Sequence, residues 1–294
     1  MNTMNLNSVK QYNALYGLPT PHPLVTVLRL QDAPAVFDHI RIDYGLYAVF
    51  IKHGQGCVLR YGRREYDYQE GSVVSIAPGQ SVTVEGKTAK THDIEALLFH
   101  PDLIYGTSLA RKMRQYSFFN YSETEALHLS AAEQESLRAC LAGIKMELAS
   151  TPDHHTRRLI CGHIELFLDY CLRYYDRQFS TRHAADSEVL RNFENALDLY
   201  FLSEVSGGLP SVKFFADKAC LTPSYFGDLI KKETGRTAQE LIRLKIIDRA
   251  KEYLRGTSLT VTQISDMLGF QYPQHFTRMF KKQTGLTPRG YRCE

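Results

Sequence analysis

The feature that most restricts this chain is a repeat close to its C-terminal end. The segment PSYFGDLIKKETGRT, starting at Pro223, and the segment PQHFTRMFKKQTGLT, starting at Pro273, align at an offset of 50 residues. Seven of the 15 positions are identical: Pro, Phe, Lys, Lys, Thr, Gly and Thr. Such internal similarity implies one supersecondary unit built twice. Each copy reads as the second helix of a short helical pair. In the first, Ser211 opens VKFFADKA, CLT makes the turn, Thr222 caps a helix with Pro223 at its first position, and Gly235 ends it. In the second, Thr260 and Gln263 form a capping box ahead of ISDML, Gly269 turns the chain, and Pro273 opens a helix ending at Gly285. Between the copies, a Thr237–Glu240 capping box opens AQELIRLKIIDRAKEYLR, lined by Leu241, Leu244, Ile247 (with Ile246) and Leu254 and stopped by Gly256. At a rise of about 1.5 Å per residue this helix is about 27 Å long. It would hold the two pairs apart by close to one turn of duplex DNA, about 34 Å.

Charge singles out the same region. The whole chain of 294 residues carries only +3, but from Gly207 to Glu294 there are 15 Lys+Arg against 8 Asp+Glu, while the first 206 residues hold 20 against 24. A basic end behind an acidic front is where a polyanion would bind. In the second copy Phe276 and Phe280 point inward, leaving Gln274, His275 and Arg278 outward as candidate contacts to base edges, since Gln and Arg make bidentate hydrogen bonds in the major groove. Lys281, Lys282 and Arg289 are placed for phosphates. In the first copy Phe226 and Ile230 face inward. Ser224, Tyr225 and Asp228 are the outward candidates for bases, with Lys231 and Lys232 for the backbone.

The N-terminal part reads differently. From Phe37 to Phe99 short alternating apolar runs (Ile40 and Ile42; Tyr47, Val49 and Ile51; Leu59 and Tyr61; Val82 and Val84) are punctuated by glycine turns. That pattern predicts an antiparallel β-barrel or sandwich. A small barrel encloses a ligand site, and Tyr61, Tyr66 and Tyr68 are candidate pocket residues. His53, His92 and His100 are the candidate metal ligands, but no His-x-His pair or neighbouring carboxylate accompanies them, so neither metal nor cofactor is expected. Helices follow. One opens with the capping box Ser130–Glu133 and carries the stripe Leu137, Leu141, Ile144 and Leu148. The next, from about 155 to 179, is apolar over a broad face (Ile160, Ile164, Phe167, Leu168, Cys171, Tyr174) wide enough for both the barrel and a second copy of the chain. The stretch FSTRHAADSE reads as a linker, and a further helix spans about 187 to 204.

The hydrophobic fraction of 44% supports packed cores, and no apolar run approaches a membrane span. The N-terminus lacks a secretion signal and the six cysteines are scattered, which suits a reducing cytoplasm and not a disulfide framework.

The C-terminal residues resemble the AraC/XylS family of bacterial transcription regulators. The pieces that carry the likeness are LTPSYFGDLIKKETGRTAQELIRLKIIDRAKEYL, DMLGF and FTRMFKKQTGLTPRGYR, within roughly residues 187–294. The resemblance implies a seven-helix DNA-binding domain with recognition helices at 223–234 and 273–284 and a connecting helix at 238–255. The chain departs from many members at Gly227 and Asp228, where a polar or basic residue is usual. The N-terminal layout is similar to the family's cupin-like sensing domain. The expectation is therefore an α+β chain: a cupin-like barrel over 1–105, a helical linker and dimerisation hairpin over 106–180, and a domain with two helix-turn-helix units over 187–294. Its expected role is that of a sequence-specific, non-enzymatic DNA-binding regulator, an activator, with double-stranded DNA, a second copy of itself, RNA polymerase and a small-molecule effector as partners and no membrane. The alternative is a cupin-type metalloenzyme, an isomerase or dioxygenase, with an accessory nucleic-acid-binding domain.

Overall fold

A computed structural model of the chain describes residues 2–30, 40–53, 59–61, 64–66, 71–84, 93–181, 183–201 and 208–293. They divide into two units, Met1–Thr181 and Arg182–Glu294.

In the first unit the alternating runs become strands where the pattern places them: β3 (Ile40–Tyr44), β4 (Tyr47–His53), β5 (Leu59–Tyr61), β6 (Arg64–Tyr66), β7 (Gly71–Ile76), β8 (Ser81–Val84) and β9 (Asp93–Phe99). Three strands that the pattern did not mark join them: β1 (Asn2–Leu6), β2 (Val25–Arg29) and the two-residue β10 (Leu127–His128), with helix α1 (Val9–Leu15) after β1. One sheet has the order β10-β7-β4-β9-β2 and is antiparallel throughout. A second has the order β1-β3-β8, with β1 parallel to β3, and β5 and β6 form a separate hairpin. Period-2 alternation sorts the side chains. Ala48, Ile76, Ala96 and Leu98 of the larger sheet share a core with Leu6, Ile42 and Tyr44 of the smaller one and with Val9 and Tyr12 of α1. The opposite face, with Val49, Ile51, Leu97 and Phe99, is also buried.

The sheets are not closed, which overturns the expected cupin-like barrel. The reason lies at the edges. β10 ends the larger sheet because the helix beyond it occupies its backbone groups. Among the helices of this unit, α2 (Pro101–Ile104), α3 (Ser108–Lys112), α4 (Ala131–Ala149) and α5 (Thr156–Thr181), α5 supplies Gln178. Its side-chain oxygen accepts from the His128 N–H at 2.8 Å, while its amide nitrogen donates to the Ala126 carbonyl at 3.2 Å. Arg177 donates to the His128 carbonyl at 2.6 Å. A strand edge satisfied by side chains has no groups left for another strand. At the other edge α4 lies against β2, and its Lys145 pairs at 2.5 Å with the buried carboxylate of Glu95.

The broad apolar face of α5 is consumed inside this unit. Ile160, Ile164, Phe167, Leu168 and Cys171 are fully buried, and α4 packs on α5 so closely that a Cβ on Gly143 would overlap the His163 ring. What α5 leaves exposed is a narrower set, Leu159 and Leu166.

The second unit holds seven helices among the described residues: α6 (His183–Tyr200), α7 (Val212–Lys218), α8 (Pro223–Thr234), α9 (Ala238–Gly256), α10 (Val261–Met267), α11 (Pro273–Thr284) and α12 (Pro288–Cys293). The stretch FSTRHAADSE, expected as a linker, is largely helical, ending α5 and opening α6. The capping boxes at Thr237–Glu240 and Thr260–Gln263 are both present. On α9 the buried face is Ile242, Ile246, Ile247, Ala250 and Leu254, so Leu241 and Leu244 are only half-buried. The inward face turns because α6, α8, α10 and α12 all pack on this one helix. Among the described residues, no helix is long and apolar enough to cross a membrane.

Two residues take the left-handed conformation at matching turns. Gly269 has φ +87° and Cys220 has φ +55°, 49 residues earlier (220 to 269). The hydrogen bonds around them repeat at the same spacing: Cys220 N to Asp217 O and Leu221 N to Ala216 O, then Gly269 N to Asp266 O and Phe270 N to Ser265 O. The helices that follow are 50 apart, so the second turn carries one additional residue. Gly269 has a second constraint, since a Cβ would collide with the Gly208 carbonyl. Gly269→Ala is expected to destabilise the second unit by at least about 1–2 kcal/mol from its backbone conformation alone. Cys220→Gly, with no such contact to relieve, is expected to stabilise by about 0.5–1 kcal/mol. Thermal and urea unfolding of the two variants should move in opposite directions.

Candidate nucleic-acid interface

The repeated residues divide by duty. Pro223 and Pro273 occupy the first turn of α8 and α11. Phe226 and Phe276 are buried in two aromatic clusters. In the first, Phe193 meets Phe215 and Phe226 edge-on at 5.0 and 5.3 Å; in the second, Phe276 lies between Phe270 and Phe280 at 5.4 and 5.8 Å. Thr234 and Thr284 donate to the carbonyls of Ile230 and Phe280, and accept from the N–H of Arg236 and Leu286. Gly235 and Gly285 take the left-handed conformation, φ +71° and +82°, and their N–H groups close on Lys231 and Lys281. Thr237 caps α9, and Thr287 accepts from the Gly290 N–H. Of the shared identities, the Lys–Lys pair alone is neither core nor cap.

That pair is exposed in both copies, at Lys231 and Lys232 and at Lys281 and Lys282. On α11 the outward face is the expected one. Gln274, His275 and Arg278 are exposed, as is Arg289 on α12, while Phe276 and Phe280 are fully buried. On α8 the expectation holds only in part. Ser224 and Asp228 are half-buried, and Tyr225, 1% exposed, is a core residue. The phase of the helix explains it: Leu229, four residues on, is also buried, so α8 presents two apolar rows to its neighbours where α11 presents one.

The two helix starts also differ. Thr222 accepts from the Tyr225 N–H at 3.2 Å, whereas Tyr272, at the corresponding place, makes no side-chain cap. Tyr272 is instead 49% exposed and sets its ring edge-on to His275 at 5.6 Å. Beside α11 runs a groove of about 360 Å³ lined by His275, Arg278, Met279, Lys282 and Gln283 on one side and by Arg243 of α9 on the other. Arg243 and Tyr272 escaped the sequence reading. Tyr272 carried a faint signal in the longer turn, but Arg243 sits on a helix legible only as a spacer. Near Arg243, the carboxylate of Glu240 is held below the usual carboxylate range, first by the Thr237 N–H and hydroxyl and then by Arg243 and Arg236.

Most of the other expected site side chains lie outside the described residues. Tyr61 and Tyr66 lie on the β5–β6 hairpin, whose side chains, like Tyr68, are outside the described residues. His92 and the His53 side chain are outside them as well, and His100 caps α2 by accepting from the Asp102 N–H at 3.1 Å. Among the described residues no group of three or more His, Cys, Asp or Glu is placed to hold a metal ion.

A family model described as a helix-turn-helix domain matches residues 215–294. The transposon Tn10 TetD protein of Escherichia coli is 39% identical over 121 residues, which are 41% of this chain and 80% of that protein. An HTH-type transcriptional regulator of Bacillus subtilis, YobQ, is 38% identical over 82 residues, 28% of this chain, and the match spans only 34% of YobQ. Among solved structures, the C-terminal domain of AraT, a response regulator from Geobacillus stearothermophilus, is similar over 36% of this chain and 84% of that one, at 25% identity and a TM-score of 0.33. On its paired helix-turn-helix units, the matching domain model and the likeness to the TetD protein, the chain belongs to the AraC/XylS-type family of helix-turn-helix transcriptional regulators.

Proposed function

We propose that the chain is a sequence-specific DNA-binding regulator in which α8 and α11 enter successive segments of the major groove. The observation that carries this reading is the exposed Lys–Lys pair at the same place in both units, beside an outward row of Gln274, His275 and Arg278 on α11. Gln274 and Arg278 suit bidentate recognition of adenine and guanine. The α8 helix offers Ser224 and Asp228, the latter able to accept from a cytosine amino group, so most of the base reading falls to α11. Lys231, Lys232, Lys281, Lys282 and Arg289 hold phosphates and fix register. At about 1.5 Å per residue the 19 residues of α9 span about 28 Å, compatible with sites about one duplex turn apart.

The first unit is the regulatory part of this reading, taking a small ligand and pairing with a second copy. Leu159 and Leu166 are 43% and 47% exposed, one heptad apart on α5, with an open Gly162 between them. A stripe of that kind suits a helix crossing on a two-fold axis. Activation through RNA polymerase completes the proposal, and transcription in vitro from a selected promoter tests it.

Three results are expected. Arg278→Ala should cost about 1–3 kcal/mol on the selected site and relax preference at one base pair, whereas equal loss on every duplex would refute a reading role. Replacing Lys281 and Lys282 by Gln should weaken binding on all sequences and flatten the salt slope by up to about two units. Leu159→Glu with Leu166→Glu should give a monomer in sedimentation with the fold intact; an unchanged association state would remove α5 from the interface.

A further inference from the structure

Arg243 lies between the two repeated segments and has no counterpart in either. Its side chain forms one wall of the groove beside α11, facing His275, Arg278 and Lys282, and the lining contains no acidic residue. The nearest acid on its own helix, Glu240, is committed to Thr237, accepting from its N–H at 2.8 Å and its hydroxyl at 2.9 Å. Among the described residues Arg243 is in no ion pair. Three cationic side chains, Arg243, Arg278 and Lys282, therefore border one concavity with no acid in its lining; Glu240 offsets part of the Arg243 charge from outside it, and the excess that remains favours an anion. At about 360 Å³ the groove is far larger than the roughly 30 Å³ that one water occupies. A phosphate with part of its hydration fits.

The inference rests on α11 lying in the major groove, where the sugar–phosphate strands run along both flanks of an inserted helix. We propose that Arg243, on the connecting helix, is a DNA-phosphate contact. With Lys282 it holds one backbone phosphodiester in the groove beside α11. The planar guanidinium presents paired N–H donors to two phosphate oxygens, and Lys282 adds a point charge. The connecting helix then takes part in binding, and the register of α11 on the duplex is set from two helices.

The test uses the full chain and a duplex recovered from a random pool with it, alongside a scrambled duplex, with affinity measured by fluorescence anisotropy across a salt series. Arg243→Gln should weaken both duplexes several-fold and lower the slope of log K against log salt by about 0.9. Arg243→Lys, which keeps the charge, should retain the slope, and this arm separates charge from misfolding. Neutral methylphosphonate placed at single positions should then find one phosphate whose neutralisation weakens the wild type but not Arg243→Gln. An unchanged slope in Arg243→Gln while the wild type binds overturns the inference and leaves the reading of α11 standing. A lowered slope with no such phosphate places a free anion in the groove and overturns it too. A wild-type chain that binds no duplex overturns the reading and the inference together.

Discussion

The burial of Phe276 and Phe280 is the constraint on which the second unit's outer surface depends. Residues four apart lie on one face of a helix, so fixing two large rings in the core fixes the rotation of α11. Everything between and beside them is then assigned: Gln274, His275 and Arg278 turn outward, and the lysines follow one turn later. The same logic rotates α8 through Phe226 and Ile230, but there Tyr225 and Leu229 add a second buried row. One helix keeps a wide polar face and the other keeps a narrow one. The two units share a scaffold and differ in how much of it faces water.

The scaffold of the second unit was legible because it is written in local signals. Caps, the first-turn prolines, the left-handed glycines and the ring spacing act within one or two helical turns, and each is at the expected residue. What escaped depends on neighbours distant in sequence. The inward phase of α9 is set by four helices packing on it, so Ile242 and Ala250 join Ile246, Ile247 and Leu254 in the core while Leu241 and Leu244 are only half-buried. The burial of Tyr225 has a related cause, since an amphipathic count cannot tell how many neighbours a helix has. Arg243 belongs to a groove between two helices, and no spacing within α9 announces it.

Alternation located seven strands between Ile40 and Phe99, yet it says nothing about where a sheet stops. Closure is decided at the edges. Here Gln178 and Arg177, more than forty residues downstream of the β10 backbone they bind, take the groups that a closing strand would need. β1 and β2 went unmarked because they lie ahead of the glycine-punctuated stretch that begins near residue 37.

The division of duties in the repeat bears on how such a chain changes over generations. Identity between the units is kept at positions that hold each helix in place, together with the lysine pair, and is lost at 224 against 274 and 228 against 278. At 274 and 278, exposed on α11, a substitution meets no core and breaks no cap, so its folding penalty is small. Mutation is therefore free to explore the outward letters of α11 while the frame stays constant. In α8 the tyrosine at 225 closes one of those letters, because altering it would open a hole in the core. A lineage built on this frame would diversify its targets mainly through its second unit, with the first held nearer to its ancestral form.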